Sequence, residues 1–415
     1  MATQTQRVTL GGRTTGVEAA VEALRAKAER SGALAALRYF PAREARTAPF
    51  PEWLDPRLAD VYRRKGIAEL YTHQAEAAER VRAGKNIVVV TPTSSGKTLC
   101  YNLPVLNQIL AEPSTRALYL FPTKALAQDQ LAELYDLINR LDRDIKVNTY
   151  DGDTPADARK ATRAQAHIVL SNPDMLHTGI LPHHTRWQRL FENLRYVVLD
   201  ELHTYRGVFG SHTANVLRRL RRLCRFYGAA PQFICSSATI ANPQELAERL
   251  LEAPVELIDA NGAPSAEKYF FFYNPPLVNA QLGIRESYIR HSGWVATDFL
   301  EHDCQTIVFA NSRLVTELLV SELKQKEEPA PGAASEIRGY RGGYLPGERR
   351  EIERGLRGGG IRAVVATSAL ELGIDVGSLD AAVLAGYPGT LASVWQRAGR
   401  QRFLLLQLAH QQLGH

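Results

Sequence analysis

Apolar and polar residues along the chain alternate between short apolar runs and longer amphipathic stretches. The runs end in polar turns, and most are rich in β-branched residues: NIVVVTP, ALYLFPT, HIVLSNP, YVVLDE and FICSSAT. The stretches between them, such as KALAQDQLAELYDLINRL, carry apolar residues at helical spacing. Buried strands that alternate with helices predict a parallel sheet covered on both faces.

A second alternating series follows a predicted domain break at DANGAPSAEK, Asp259–Lys268, and contains TIVFANS, AVVATSA and AAVLAGYP. The pattern therefore predicts two α/β domains in tandem, over residues 56–260 and 269–415. Residues 16–37 carry Ala and Leu at helical spacing, and a Pro-rich connector comes next. We expect residues 1–55 to form a separate helical and connector segment.

Composition adds a mild preference for a polyanionic partner. The net charge of +6 over 415 residues favours such a partner, although it also fits a solvated basic surface. The four cysteines form no C-x-x-C pair, which argues against a zinc site or a disulfide framework and suits a reducing cytoplasm. Neither a signal peptide nor an apolar stretch of roughly 18 residues is found. We expect a cytoplasmic protein without a membrane partner.

A phosphate-binding loop is predicted where the strand NIVVV runs into TPTSSGKT. A glycine-containing turn that opens a helix points backbone N–H groups at phosphate, and the helix dipole adds positive charge. Lys97 would reach the β- and γ-phosphates, and the Thr98 hydroxyl would hold Mg²⁺. Thr91 stands where the strict pattern has its first glycine, so the match alone also fits chance. The predicted nucleotide-binding residues are Thr91, Pro92, Thr93, Ser94, Ser95, Gly96, Lys97 and Thr98.

Two adjacent acids end the apolar strand in YVVLDELH. Asp200 is placed to bind Mg²⁺, and Glu201 is placed to act as general base on an attacking water. Alone, the pair could be a solvated turn at a strand end. With a phosphate loop upstream, it predicts hydrolysis of a nucleoside triphosphate.

The order of the motifs resembles that of superfamily 2 helicases. After the phosphate loop come PTKALAQDQ, SNPDML, DELH, SSAT, IVFANSR, VVATSALELGID and QRAGR, between about residues 68 and 400. DELH and PTKALAQDQ differ from the motifs of DEAD-box RNA helicases. YDGDTPADAR, DELHTYRGVFGSH and RGYRGGYLPGERREIERGLR are similar to bacterial DExH DNA helicases of the mitomycin-repair type and their fungal RecQ-like relatives. The resemblance implies two RecA-like P-loop domains, with ATP and Mg²⁺ as cofactors in the cleft between them.

The resemblance also implies roles for residues that composition and spacing do not single out. Gln74 would read the adenine edge, although on its own it fits a helix-surface glutamine. His203 and the SSAT motif, Ser236–Thr239, would link hydrolysis to domain movement. The second domain would contact nucleotide through residues of its last two motifs, with charge on the γ-phosphate stabilised by the arginines: Gly373, Asp375, Gln396, Arg397 and Arg400.

The implied partner is single-stranded DNA, held by its phosphate backbone with little base specificity. The implied contacts are Thr123, Lys124, Asn172, Asp174, Arg313 and Thr367. The arginine run RRLRRLCR, Arg218–Arg225, is either a DNA-binding stripe or, with its leucines, a helix with a buried stripe and a solvated basic face. The indicated function is an ATP-dependent DNA helicase or translocase in DNA repair. The alternatives are a nucleotide-gated DNA clamp, an inactive truncated product and an RNA helicase.

The last residues depart from the family pattern Q-R-x-G-R-x-G-R. Arg402 replaces the motif's second glycine and Phe403 its last arginine, and a tail rich in Leu and Gln follows. We expect this tail to supply none of the strand and helix that close the second sheet, which leaves the second domain incomplete. A divergent but complete ending is the alternative. Restoring the pattern with Arg402→Gly and Phe403→Arg would then be expected to raise ATPase activity.

Overall fold

The fold is described from a computed structural model that covers residues 16–326, 336–370, 379–399 and 401–407. It divides into two units. The continuous unit consists of residues 44–265, and the split unit combines residues 16–43 with the chain from residue 266 onward. The boundary after residue 265 falls inside the predicted break Asp259–Lys268.

Residues 16–43 form one helix and one strand, α1 (Gly16–Arg30) and β1 (Leu34–Phe40). The strands of the continuous unit are β2 (Thr47–Ala48), β3 (Leu70–Tyr71), β4 (Ile87–Val90), β5 (Arg116–Leu120), β6 (Val147–Thr149), β7 (Ile168–Ser171), β8 (Leu194–Leu199), β9 (Gln232–Ser237) and β10 (Glu256–Ile258). Its helices are α2 (Pro56–Arg64), α3 (Thr72–Arg82), α4 (Lys97–Ala111), α5 (Lys124–Leu141), α6 (Ala156–Gln165), α7 (Pro173–Met175), α8 (Gln188–Glu192), α9 (Gly207–Phe226) and α10 (Pro243–Leu251).

The chain from residue 266 onward supplies the other elements of the split unit. Its strands are β11 (Lys268–Tyr273), β12 (Leu277–Asn279), β13 (Ile284–Arg285), β14 (Thr306–Ala310), β15 (Ile337–Tyr340), β16 (Ala363–Ala366), β17 (Ala381–Ala385) and β18 (Phe403–Gln407). Its helices are α11 (Tyr288–Glu301), α12 (Arg313–Lys326), α13 (Pro346–Arg357) and α14 (Leu391–Arg397). Among the described residues, no helix combines the length and the apolar character that a membrane crossing requires.

The continuous unit is built on a parallel sheet with the strand order β10-β4-β9-β8-β5-β7-β6. The five apolar runs of the sequence supply β4, β5, β7, β8 and β9, all of them largely buried. Because every strand runs in the same direction, the loops that follow the strands meet at one edge of the sheet. In open α/β sheets this carboxyl edge is where ligands bind.

The split unit contains a second seven-stranded sheet, in the order β1-β11-β18-β17-β14-β16-β15. Its strands are parallel except for β1, which pairs antiparallel to β11. Alternate residues of β18 pack on opposite faces: Phe403 and Leu405 on one, Leu404 and Leu406 on the other. The prediction of two parallel α/β units is confirmed.

The expectation of a separate N-terminal segment is wrong for residues 16–43, which are part of the split unit. The helix ends at Arg30 because Gly32 takes a positive φ of 67°, and the N–H of Ala33 then donates to the carbonyl of Ala28. The following LAALRYF forms β1 and does not continue the helix as the Ala and Leu spacing predicted. Tyr39 and Tyr269 lie opposite each other on the two strands with ring centroids 5.1 Å apart, and this cross-strand contact stabilises the pairing with β11.

The expectation that the tail supplies no strand is also wrong. Residues Phe403–Gln407 form β18, which lies inside the sheet and pairs with β11 on one side and β17 on the other. The physical reason is that FLLLQ offers apolar side chains to both covered faces, which a central parallel strand requires. Arg402, just before this strand, forms ion pairs with Glu18 and Glu267.

The arginine run lies on α9 with its apolar side chains inside, as the second of the two interpretations predicted. Leu217, Leu220 and Cys224 are buried in the core of the continuous unit. Arg218 forms an ion pair with Glu252, and Arg221 donates to the carbonyl oxygens of Leu251 and Glu252. These contacts give the two arginines a structural role within the unit.

Candidate active site

The predicted phosphate loop connects β4 to α4 at the carboxyl edge of the sheet. Gly96 adopts a φ of 75°, the left-handed conformation that favours glycine, and helix α4 starts at the next residue. The Thr91 and Ser95 hydroxyls lie 2.6 Å apart across the loop, so Thr91 closes it although it replaces a glycine. The ammonium of Lys97 donates to the carbonyls of Thr91 and Pro92, at 2.9 Å each. The loop is therefore formed, and its lysine lies over it.

Two residues of α3 contact the backbone carbonyls of this loop. Gln74 accepts a hydrogen bond from the N–H of Tyr71 at 2.9 Å and donates to the carbonyl of Gly96 at 3.0 Å. It is 5% exposed, so the interpretation as a helix-surface glutamine is wrong. His73 lies 3.1 Å from the carbonyl of Ser95 and accepts from the N–H of Gly262 at 3.2 Å.

Burial lowers the pKa of His73 to about 4, so the ring is neutral at physiological pH. Because Nδ1 accepts from Gly262, the proton of this neutral ring is on Nε2, which donates to Ser95. His73 thereby ties the phosphate loop to the segment that leads out of the continuous unit. No motif in the sequence singles out His73, although it directly precedes Gln74.

The acid pair follows β8, two positions across the sheet from β4. The Asp200 carboxylate accepts hydrogen bonds from the N–H of Glu201 at 2.9 Å, from the Ser236 hydroxyl and from the Tyr101 hydroxyl at 3.4 Å. Burial raises the pKa of Asp200, and the hydrogen bond from Ser236 is the largest effect opposing that rise. The side chain is thus desolvated and held in one orientation by three donors.

Glu201 has a positive φ of 52°, an uncommon conformation that costs backbone energy and concentrates at functional sites. Its carboxylate is buried, and Oε2 lies 3.4 Å from Nδ1 of His203. The same ring nitrogen lies 3.4 Å from the N–H of Ala238, in the turn after β9. His203 therefore lies between the acid pair and the SSAT segment. Its predicted role with that segment, linking hydrolysis to domain movement, stays a prediction.

The oxygen atoms at this edge suit a magnesium ion. The Asp200 carboxylate and the Thr98 hydroxyl both interact with the hydroxyl of Tyr101, which brings them into one neighbourhood. Hard oxygen donors of this kind are the ligands that Mg²⁺ prefers. The donor set fits the metal predicted from the sequence.

The predicted nucleic-acid contacts of the continuous unit lie in neighbouring loops at the same edge. Thr123 caps α5 by accepting from the N–H of Leu126 at 3.4 Å, and Asn172 caps α7 by accepting from the N–H of Met175 at 2.8 Å. Lys124 is paired with Asp153 at 2.7 Å, and Asp174 lies in the first turn of α7. The structure places these four residues at the starts of α5 and α7.

The predicted residues of the split unit follow its own parallel strands. Arg313 is the first residue of α12, and Thr367 comes directly after β16. Gln396 and Arg397 are buried near the end of α14, and the Arg397 guanidinium lies 5.0 Å from the centre of the Phe309 ring. Gly373, Asp375 and Arg400 lie outside the described residues.

Lys268 fixes the end of α14 and was not predicted. Its ammonium donates to the carbonyls of Ala398 and Gly399 at 3.1 and 2.7 Å, where the negative end of the helix dipole favours a cation. Burial, together with the charge of Arg43, lowers the pKa of Lys268 to about 8. The lysine holds the segment that carries the final motif.

Comparisons with known proteins agree with this geometry. The DEAD/DEAH box helicase family model matches residues 71–246, and the helicase conserved C-terminal domain matches residues 295–402. The chain is 59% identical to the uncharacterized ATP-dependent helicase YprA of Bacillus subtilis, over 86% of this chain and 48% of that protein. It is 39% identical to the ATP-dependent helicase HRQ1 of Saccharomyces cerevisiae, over 86% of this chain and 34% of that protein.

A solved structure of the DUF1998 helicase MrfA bound to DNA and AMPPNP is similar in fold. It matches with a TM-score of 0.87 and 53% identity, covering 94% of this chain and 55% of that one. The chain thus spans about half the length of these relatives or less. The predicted resemblance is confirmed in both its bacterial and its fungal branches. With its two RecA-like helicase domains, the chain belongs to the superfamily 2 helicases.

Proposed function

We propose that this chain is an ATP-dependent DNA helicase or translocase that moves along single-stranded DNA in DNA repair. The observation that carries the proposal is the convergence of Lys97, Asp200, Glu201 and His203 at one sheet edge. The similarity to MrfA, solved with DNA and AMPPNP, supports both ligands. The proposal assigns ATP binding to residues 56–260 and the second helicase domain to residues 269–415, with residues 16–43 added to the latter.

In the proposed reaction, the N–H groups of the phosphate loop bind the β- and γ-phosphates. Lys97 exchanges its two loop carbonyls for phosphate oxygens, and Gln74 reads the adenine. Glu201 accepts the proton of the attacking water, and the His203 ring lies next to that carboxylate. Thr98 and Asp200 would hold Mg²⁺, whose charge would offset that of the phosphates. Arg397 and Arg400, with Gln396, Gly373 and Asp375, are the contributions proposed for the second domain.

The DNA strand is proposed to lie on Thr123, Lys124, Asn172 and Asp174 of the continuous unit and on Arg313 and Thr367 of the split unit. Contacts to phosphate oxygens would hold the strand without reading its sequence. A cytoplasmic location belongs to the same proposal, because the four cysteines are buried and unbridged, as suits a reducing compartment.

The test is ATP turnover with and without a single-stranded DNA oligonucleotide, for wild type, Lys97→Ala and Glu201→Gln. We expect DNA-stimulated hydrolysis in wild type and a loss of roughly 10²- to 10⁴-fold on removal of the general base. Unchanged turnover in Glu201→Gln contradicts the mechanism. Competition between DNA and RNA oligonucleotides for stimulation decides between a DNA and an RNA helicase.

A nucleotide-gated DNA clamp is the second candidate, and the position of Phe403 favours it. The side chain is fully buried in the split unit at a place where the family motif has an arginine. One charge that related motors use on the phosphate is therefore absent, which would weaken hydrolysis more than binding. A strand-displacement assay separates the two candidates, because a clamp binds DNA in the presence of ATP but releases no strand.

A further inference from the structure

Tyr101 is a buried residue of α4 whose hydroxyl makes the longest of the three hydrogen-bond contacts to Asp200. It follows Thr98 by three residues, so the two side chains share one face of the helix. Its ring packs edge-on against Tyr119 with centroids 5.4 Å apart, and the Tyr119 hydroxyl is itself bound to Asn102 at 3.1 Å. The ring is thus fixed by packing, and only its hydroxyl points toward the acid pair.

That hydroxyl faces two acceptors at once. Oε1 of Gln130 lies 3.2 Å away and Oδ2 of Asp200 lies 3.4 Å away. A tyrosine hydroxyl has one proton, so it satisfies only one of these acceptors fully at any moment. Burial raises the pKa of Tyr101 well above its usual range, which keeps this proton in place at any physiological pH.

The competing acceptor, Gln130, belongs to α5. This helix starts at Lys124, which with Thr123 forms part of the proposed DNA-binding surface. A helix moves largely as a rigid body, so a displacement at its first turn is carried to Gln130 less than two turns along. A change in the distance between Gln130 and the Tyr101 hydroxyl therefore changes the strength of the hydrogen bond from Tyr101 to Asp200.

We propose that Tyr101 is a positioning residue that couples DNA contact at the start of α5 to the magnesium ligands Thr98 and Asp200. When Gln130 moves away, the Tyr101 hydroxyl donates fully to Asp200 and holds its carboxylate for the metal. When Gln130 is close, the same proton is shared and the carboxylate is held less firmly. The inference rests on the proposed function and adds a regulatory contact to it.

The test measures Mg²⁺-dependent binding of a fluorescent ADP analogue to the full chain, with and without a single-stranded DNA oligonucleotide. In wild type, we expect DNA to lower the half-saturating Mg²⁺ concentration. In Tyr101→Phe, that concentration rises by about 2- to 10-fold, the equivalent of one hydrogen bond, and DNA no longer shifts it. The matched control is Tyr119→Phe, which loses a neighbouring hydroxyl bound to Asn102 and leaves both values as in wild type.

Gln130→Leu gives a second, independent variant in case Tyr101→Phe fails to fold. It removes the competing acceptor, so we expect a low half-saturating Mg²⁺ concentration that DNA no longer changes. The proposal is overturned if Tyr101→Phe or Gln130→Leu keeps the DNA-dependent shift of wild type. ATP turnover by wild type is measured in parallel. Its absence contradicts the proposed function, whereas the ADP binding data still decide the role of Tyr101.

Discussion

Two departures from the helicase motifs, one in each unit, have opposite structural consequences. Thr91 replaces the first glycine of the phosphate loop, and its hydroxyl closes the loop against Ser95 at 2.6 Å. Phe403 replaces the last arginine of the final motif, and its side chain is fully buried against Phe271 and Phe299. The effect of a substitution in a motif therefore depends on its place in the fold, in a ligand-binding loop for Thr91 and in a hydrophobic core for Phe403.

The largest effect is expected for Phe403→Ala. Its ring centroid lies 4.4 Å from that of Phe299 and 5.2 Å from that of Phe271, so truncation leaves a cavity in the split unit. We expect the free energy of unfolding to fall by about 3–5 kcal/mol, measured by urea denaturation. Phe403→Leu is the control and should cost less than Phe403→Ala, because the larger side chain leaves a smaller cavity. Equal midpoints for wild type and Phe403→Ala would contradict the core assignment.

The same burial changes the expectation for Arg402→Gly with Phe403→Arg. That double change restores the family pattern in sequence, but it places a guanidinium in the core and removes the ion pairs of Arg402 with Glu18 and Glu267. We therefore expect unfolding of the split unit and no gain in ATPase activity.

An intermediate effect is expected on the phosphate-loop side of the comparison, from His73 at low pH. Its folded pKa of about 4 lies below the unfolded value of about 6.5. Between these values the unfolded chain binds a proton that the folded protein does not, so stability is lost as pH falls from about 6.5 to 4. Lowering the pH from 7 to 5 should therefore reduce the free energy of unfolding of wild type by about 1–2 kcal/mol more than that of His73→Gln.

Urea denaturation at the two pH values measures this difference, and carboxylates that titrate in both proteins cancel in the comparison. Glutamine keeps a donor and an acceptor without titrating, so the contacts to Ser95 and Gly262 have a neutral substitute. If the free energy of unfolding falls equally with pH in both proteins, protonation of His73 does not contribute to the loss of stability.

The smallest effect is expected for Thr91→Val, which keeps the shape of the side chain but removes the hydroxyl bound to Ser95. We expect a loss of about 0.5–1.5 kcal/mol in the free energy of unfolding, measured by thermal or urea denaturation. Thr91→Ser retains the hydroxyl and should behave as wild type in nucleotide binding. If both variants match wild type, the hydroxyl does not close the loop.

Much of the continuous unit is predictable from sequence because its chemistry is local. Lys97 and Thr98 adjoin a glycine turn, and Asp200 and Glu201 end an apolar strand, so neighbouring residues reveal their setting. The contacts of His73, Tyr101 and Lys268 join segments that are distant along the chain, and no spacing rule reports them. For Tyr101 one signal was present, its three-residue distance from Thr98 on a helix.

The split unit was harder to predict because competing patterns had to be decided by tertiary contacts. LAALRYF suits a helix or a strand, and the edge of β11 decides for the strand. FLLLQ has no motif at all, yet the gap between β11 and β17 accepts five apolar-rich residues in register. The lost arginine at position 403 therefore gives no sign that residues 403–407 form a central strand.

The partition of the split unit has a consequence for biosynthesis. The strand β1 is synthesised well before its partner strand β11, which is available only after residue 273 has been made. At a synthesis rate of roughly 5–20 residues per second, the wait lasts on the order of ten to fifty seconds. The continuous unit is completed in that interval and can fold first. Until β11 has been made, the backbone groups of β1 that later pair with it are unpaired and can pair with other strands.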